Sequence, residues 1–396
     1  MQLHNDSRHA GRAPSVALLV EVSSAHARGV IRGVSGFSQQ RGPWRLHLVE
    51  QVRPADIRRW LDAWPCDGVI ARVETRQIAD VLAARCLPVV NVSGTDLGPW
   101  PRVDTDNRAV CCLAAGHLID RGYRHFGFCG MSQYAWSGWR RDFFAAELTR
   151  LGYACQEFDL PSLTAQNRPS VKDRRALEQW LAGLPKPVGI LAANDHCGRS
   201  VLEACDGAGL AVPDAIGVLG VDNDDAECEL CWPALSSIEA NGERIGYVAA
   251  ETLQQLLAGA RLDGGAQLIK PTTLVCRRST DATAVREPIV AEALRFMRAY
   301  ACQEIRALDV ARHVNVSRRY LEQQFRQVVG RSIHTEILRL RLEMAQRLLG
   351  ETDWKLQSVA QRSGFKQAAH LSAVFYEKLG MRPGEYRRRV QNRPDE

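Results

Sequence analysis

Asp309-Val310-Ala311-Arg312-His313-Val314-Asn315-Val316 and Ser358-Val359-Ala360-Gln361-Arg362-Ser363-Gly364-Phe365 are two copies of one short pattern in a chain of 396 residues. Each copy leads into an amphipathic run, the first carrying Leu321, Phe325 and Gly330, the second Leu371, Phe375 and Gly380. Val310/Val359, Ala311/Ala360, Asn315/Gly364 and Val316/Phe365 lie 49 residues apart, whereas Leu321/Leu371, Phe325/Phe375 and Gly330/Gly380 lie 50 apart. One residue is therefore inserted at the start of the later helix. Ala311 or Ala360 lets two helices cross closely, and Asn315 or Gly364 suits a tight turn with a left-handed backbone, so each copy is expected to form a helix-turn-helix. With Leu321, Phe325 and Val328 inward, Arg318, Arg319, Glu322, Gln323 and Arg326 face outward. In the second copy Lys366, Gln367 and His370 surround the blank pair Ala368-Ala369. Two amphipathic helix pairs also suffice for a plain helical core, but duplication together with a basic outer face favours base and phosphate contacts. Ile333 to Leu349 reads as one helix between the copies, about 25 Å long. That length suits two readers set near the ~34 Å spacing of successive major grooves.

Residues from about 288 to 389 resemble the AraC/XylS-type DNA-binding domain. The resemblance rests on Ala360-Gln361-Arg362-Ser363-Gly364-Phe365, then Phe375, Gly380 and Pro383, followed by Tyr386-Arg387. His370-Leu371 stands where that family usually has two aromatics, Tyr376 where it has a basic residue, and Arg382 where it has Ser or Thr.

A chain of this length is expected to hold two or three domains. Net charge is +6 and unevenly placed: residues 282–396 hold 21 Lys+Arg against 13 Asp+Glu, leaving the larger amino-terminal part slightly acidic. A basic minority joined to a near-neutral majority suits a nucleic-acid module attached to something that is not one. The 12 cysteines show no even framework of a small secreted domain and fit a reducing cytoplasm. Cys228-x-x-Cys231 has no second ligand pair nearby, so no metal and no cofactor are expected. The polar start, Met1 to Pro14, has no apolar run resembling a signal peptide, so none is expected. No apolar run approaches the ~18 residues of a membrane span.

After Pro14, short apolar runs alternate with helical stretches. Ser15–Glu21, Leu46–Val49, Gly68–Ala71 and Pro88–Val92 read as strands, with helices at Arg28–Gln40, around Ile57–Trp64 and at Arg76–Arg85. A second run follows, with helices at Asn107–Asp120, Gly138–Leu151, Arg174–Leu181 and Gly198–Ala208 and strands at His125–Phe128, Val188–Ala193 and Ile216–Val221. The alternation predicts two doubly wound α/β lobes, and in such sheets ligands sit at the carboxyl ends of strands. Polar residues fall there: Ser23, Ser24 and His26 after the first strand, Asn194-Asp195 after Ala193, and Asp222-Asn223 after Val221.

Residues 15–280 resemble the sensing domain of LacI/GalR-type repressors and periplasmic sugar-binding proteins. The matching features are Val103-Asp104-Thr105-Asp106-Asn107, Arg140-x-x-x-Phe144, Ala193-Asn194-Asp195, Gly217 to Asn223, Leu235-Ser236-Ser237-Ile238 and Arg277-Arg278-Ser279-Thr280. LacI-type amino-terminal DNA-binding helices are not expected ahead of them. The expected architecture is a type I periplasmic-binding-protein-like α/β domain over residues 15–281, preceded by a flexible segment 1–14. A linker (282–288) and an all-α double helix-turn-helix domain (289–390) follow. Asp106, Arg140, Asn194, Asp195 and Asp222 fall at the family's ligand positions, with helix capping, a surface ion pair or turn formation as their structural alternatives. Trp136 and Trp139 offer an aromatic face to a sugar, and His26 and Arg28 lie on the cleft side.

The resemblance implies a cytoplasmic, homodimeric transcription activator of sugar catabolic genes. It would bind an operator in double-stranded DNA and be controlled by a monosaccharide, D-xylose, with RNA polymerase as a further partner. The alternatives are another pentose or hexose as effector, or action as a repressor. An enzyme lacks parts here: the chain has no Gly-rich phosphate loop ahead of a Lys and no Gly-x-Ser-x-Gly elbow.

Overall fold

A computed structural model describes residues 12–49, 54–161, 169–262, 265–281 and 287–390, without the side chains of Glu351, Arg389 and Val390. Most of the expected flexible start and residues 282–286 of the expected linker lie outside the described residues. The chain packs as two units, one made of residues 1–119 and 124–282, the other of residues 120–123 and 283–396.

The first unit is a pair of α/β lobes. In chain order the first lobe runs β1 (Ser15–Leu19), α1 (Ala25–Arg41), β2 (Arg45–Leu48), α2 (Pro54–Ala63), β3 (Gly68–Ala71), α3 (Arg76–Ala83), β4 (Val89–Asn91) and β5 (Arg102–Thr105). The second holds α4 (Asn107–Asp120), β6 (His125–Gly130), α5 (Ala135–Arg150), β7 (Cys155–Asp159) and α6 (Val171–Gly183). It continues with β8 (Val188–Ala192), α7 (Asp195–Gly207), β9 (Ile216–Val221), α8 (Asp225–Leu230) and β10 (Ser236–Ile238). The chain then returns to the first lobe with α9 (Gly242–Leu257) and β11 (Ala266–Ile269), and to the second with β12 (Leu274–Val275).

The first sheet has the order β11-β5-β4-β3-β1-β2 and is parallel throughout. The second has the order β12-β10-β9-β8-β6-β7, with β12 alone antiparallel. Strands β1, β3, β8 and β9 are buried from end to end, as parallel strands covered on both faces must be. Apolar side chains fill both faces of the first sheet, with Val16, Val30, Val34, Phe37 and Leu253 on one side and Ala17, Ile57, Leu61, Val69 and Leu82 on the other.

Strand β5 and helix α9 have no counterpart in the sequence reading. Helix α9 lies against α1 so closely that a Cβ at Gly33 would overlap the Glu243 carbonyl and one at Gly246 the Val30 carbonyl. Arg277-Arg278-Ser279-Thr280 closes the unit: Ser279 Oγ donates to the Val218 carbonyl at 2.6 Å and accepts from the Ser236 N–H at 2.8 Å.

The second unit is all-helical: α10 (Pro288–Tyr300), α11 (Ala307–His313), α12 (Arg318–Val329), α13 (Ile333–Glu351), α14 (Leu356–Arg362), α15 (Ala368–Leu379) and α16 (Pro383–Val390). Both duplicated patterns are helix-turn-helix motifs, α11–α12 and α14–α15. Their turns rest on Asn315 and Gly364, with φ of 55° and 84°. Each motif has its own core, Val310, Ala311, Leu321 and Phe325 in the first and Val359, Ala360, Leu371 and Phe375 in the second. Helix α13 serves both, giving Ile333 and Ile337 to the first and Leu342, Ala345, Leu348 and Leu349 to the second. Leu342 lies about 140° around the axis from Ile337, so α13 buries two stripes and not one face.

Candidate functional site

The carboxyl ends of β1, β3, β5, β8 and β9 deliver polar groups to the space between the two lobes. Arg140 on α5 is its buried centre: Nε donates to Asn107 Oδ1 at 2.8 Å, Nη1 to the Ala193 carbonyl at 2.5 Å, and Nη2 stands 3.7 Å from Asp222 Oδ1. Asp222 has a φ of 103° and Asn223 one of 49°, a left-handed pair that only a well-braced turn retains. The bracing is present. Ser237 Oγ accepts from the Asn223 N–H, and Arg277 Nη1 donates to Asn223 Oδ1 at 2.9 Å.

The expected ligand residues separate into groups. Asp195 is built into the frame: Oδ1 accepts from Ser237 Oγ at 2.5 Å and Oδ2 from the Asp224 N–H at 2.7 Å, joining the start of α7 to the turn after β9. Asn194 caps α7 by accepting from the Cys197 N–H, and Asp106 takes the Ala109 N–H at 2.9 Å in the same manner at α4. Arg28 does not end at the centre. Its Nη2 crosses to the other lobe and meets Asp224 Oδ2 at 2.6 Å.

Arg140, Asp222, His26 and Trp136 are brought together. The Arg140 guanidinium lies 5.2 Å from the centre of the Trp136 ring, which stacks on Tyr134. Trp139 lies under Arg102, with the guanidinium 5.7 Å from its ring centre. Burial, reinforced by the charges of Arg72 and Arg140, lowers His26 to a pKa of about 3, so its ring is neutral. Burial pushes the Asp222 and Asp104 carboxyls above their ordinary range against the pull of nearby arginines.

Sequence reasoning missed Arg72, Glu74 and Asp104. Arg72 follows β3 immediately, hydrogen-bonds Glu74 at 2.6 Å and acts on His26 and Asp222 through its charge. Its place at a strand's carboxyl end was the available signal. Among the described residues, His26 Nδ1, Arg102 Nε, Asp104 Oδ2 and Trp136 Nε1 are buried with no hydrogen-bond partner. Also among them, no group of His, Cys, Asp and Glu could hold a metal ion, and no helix is long and apolar enough to cross a membrane. Cys228 and Cys231 are buried free thiols, and burial pushes both up, Cys231 to about 12. Neither is a ready thiolate.

In the helical unit, Arg318, Arg319, Gln323 and Arg326 are exposed on α12. Arg318, Gln323 and Arg326 line one surface concavity with Glu322, Gln327 and Ser332. Glu322, expected outward, is half-buried. Lys366, Gln367 and His370 are exposed around the start of α15, with Lys366 Nζ 3.0 Å from Glu304.

Three family models match the chain. A periplasmic binding protein-like domain covers residues 115–280, a XylR N-terminal domain residues 15–107, and a helix-turn-helix domain residues 310–389. A two-lobed α/β periplasmic-binding-protein-like domain followed by a paired helix-turn-helix unit defines a DNA-binding transcription regulator with a ligand-sensing domain. The chain is 30% identical to the xylose operon regulatory protein of Haemophilus influenzae over 94% of its own length and 97% of the relative's. It is also 30% identical to that of Escherichia coli K12, over 94% and 96%. A solved structure described as the xylose-binding transcription activator xylR matches at a TM-score of 0.62 and 29% identity, covering 95% of this chain and 98% of that one. The lac repressor dimer bound to operator matches at 0.55 and 20% identity over 68% of this chain and 95% of that one, a likeness of fold. The chain belongs to the family of the xylose operon regulatory proteins, which are transcription regulators.

Proposed function

We propose that the chain is a cytoplasmic transcription activator of sugar catabolic genes. It acts as a homodimer, and a monosaccharide, D-xylose, held between the two lobes controls its operator binding. The observation that carries the sugar reading is the set of unmatched polar atoms in the cleft. Trp136 Nε1 only donates, while His26 Nδ1 and Asp104 Oδ2 serve as acceptors when the one is unprotonated and the other ionised. A hydroxyl answers both kinds. The surrounding charges balance, with Arg72, Arg102 and Arg140 against Glu74, Asp104 and Asp222, which suits a neutral polyol better than an anion. Arg140, Asp222, His26 and Trp136 form the first set of contacts in this reading. Asn194 offers its amide nitrogen, and Asp106 and Asp195 hold the frame. Arg318, Arg319, Gln323, Arg326, Lys366, Gln367 and His370 face DNA, and an activator would also meet RNA polymerase.

D-xylose as effector and activation as outcome rest on the likeness to the named relatives. Thermal unfolding of the full chain with D-xylose, L-arabinose, D-ribose, D-galactose and D-glucose tests the assignment. D-xylose should raise the sensor's midpoint, since a ligand at a hundred times its Kd stabilises by ~2.7 kcal/mol. A larger rise with another sugar reassigns the effector. No rise with any of them overturns sugar sensing.

A further inference from the structure

Asp104 is 6% exposed, and its Oδ2 has no hydrogen-bond partner among the described residues. A buried carboxylate oxygen without a donor is costly, and this one is placed where the two lobes meet. Gly94, after β4, lets the Trp139 ring approach closely beside it: a Cβ there would come 3.3 Å from Asp104 Oδ2 and 2.8 Å from Trp139 Cζ3. Trp139 belongs to the second lobe, Gly94 and Asp104 to the first. Arg102, on the same strand as Asp104, lies over the Trp139 ring, and its own Nε is likewise buried and unmatched. An acceptor, a donor and an aromatic wall thus meet at one point. The arginines 102, 140 and 72 all act on Asp104 through their charge, which disfavours a cationic group as its partner.

We propose that Asp104, walled by Gly94 and Trp139, is the specificity-determining residue of the cleft, accepting a hydrogen bond from one particular hydroxyl of a bound monosaccharide. This rests on the sugar reading above and adds to it a contact that selects among sugars. Such a site rejects a ligand lacking that hydroxyl because its buried acceptor is then left unmatched. Trp139 closes the space from the facing lobe, so the contact is completed only when the lobes are together.

Calorimetric titration of the full chain tests this, using the tightest binder among D-xylose, L-arabinose, D-ribose, D-galactose and D-glucose together with each of its monodeoxy analogues. In the unsubstituted protein one analogue should bind roughly 10- to 100-fold more weakly than the parent, as expected for a hydrogen bond to a charged group. Asp104→Ala should lose a similar factor for the parent and nothing further for that one analogue. Asp104→Asn, which keeps the shape, controls for folding through an unchanged circular dichroism spectrum. If the parent sugar binds, Asp222→Ala abolishes binding, and the Asp104 variants show the same analogue penalties as the unsubstituted chain, this inference falls and the sugar reading stands. If none of the sugars binds the unsubstituted chain, both fall.

Discussion

His26 shows how one buried side chain ties stability to pH. An imidazole ordinarily titrates near 6.5. In this cleft burial, Arg72 and Arg140 lower it to about 3. The folded state therefore keeps it neutral while the unfolded chain takes up a proton as pH falls through about 6.5. Stability contributed by neutral His26 is complete above that point. It is lost progressively down to about 3, where the folded state protonates too. The loss from one proton is at most ~1.4 kcal/mol per pH unit. Scanning calorimetry at pH 7, 6 and 5 should show the sensor's midpoint falling, and His26→Gln should flatten part of that fall. An identical pH profile in the variant would remove His26 from the account. Arg28 has a different role: its bond to Asp224 joins the lobes at the rim, and a half-exposed ion pair of that kind is worth ~1 kcal/mol at most.

The two reader helices differ although their frames repeat. Helix α12 carries Arg318, Arg319 and Gln323 outward, whereas α15 begins with Ala368-Ala369 between Gln367 and His370. Base specificity should therefore come mainly from α12. A lost bidentate base contact costs ~1–3 kcal/mol and relaxes preference at one position, whereas a lost phosphate contact weakens all sequences alike. Binding selections from a randomised operator pool should show Arg319→Ala broadening the preferred sequence more than Gln367→Ala does. Equal broadening would refute the asymmetry.

The frame between the readers is firm at one point. Arg341 on α13 donates to the carbonyls of Ala301 and Gln303 at 2.7 and 2.8 Å, pinning the segment that follows α10. Gly364 passes so close that a Cβ would come 2.8 Å from Arg341 Nε and 2.9 Å from Cys302 Cα. The second turn thus needs glycine for space as well as for its φ of 84°. The first turn accepts Asn315 at 55°.

The chain as a regulator must convert an occupied cleft into a changed affinity for DNA. A ligand moves a conformational equilibrium only by its difference in affinity for the states involved, so the response should depend on Asp222, which sits beside Arg140 where the lobes face each other. In the proposed homodimer, closing the lobes would change how two sensors pack and hence the spacing of paired readers. For the full-length Asp222→Ala protein, the ratio of operator Kd without and with the effector sugar should fall to about one. Unchanged sugar-dependent tightening, together with unchanged sugar affinity, would overturn both the site and the coupling.

The helix-turn-helix pair was legible in the order of residues because each copy uses short-range rules. Helical spacing places Leu321 and Phe325 inward, and a left-handed turn accepts Asn or Gly. The alternation of strands and helices was legible for the same reason, through buried runs such as Val188–Ala192 and Ile216–Val221. Strand β5 escaped because its four residues alternate Arg, Val, Asp and Thr without an apolar run, and pairing with β4 and the distant β11 makes it a strand. The cleft residues divide along the same line. Arg140, Asp222 and Asp104 all stand in motifs, but Asp104 was overshadowed by the more obvious Asp106 two residues on, and Arg72 stood alone. Neither spacing nor composition shows which carboxylate finds donors for both oxygens in its own lobe, as Asp195 does, and which is left with one oxygen unmatched, as Asp104 is. That depends on contacts among residues far apart in the chain, formed only when both sheets have assembled.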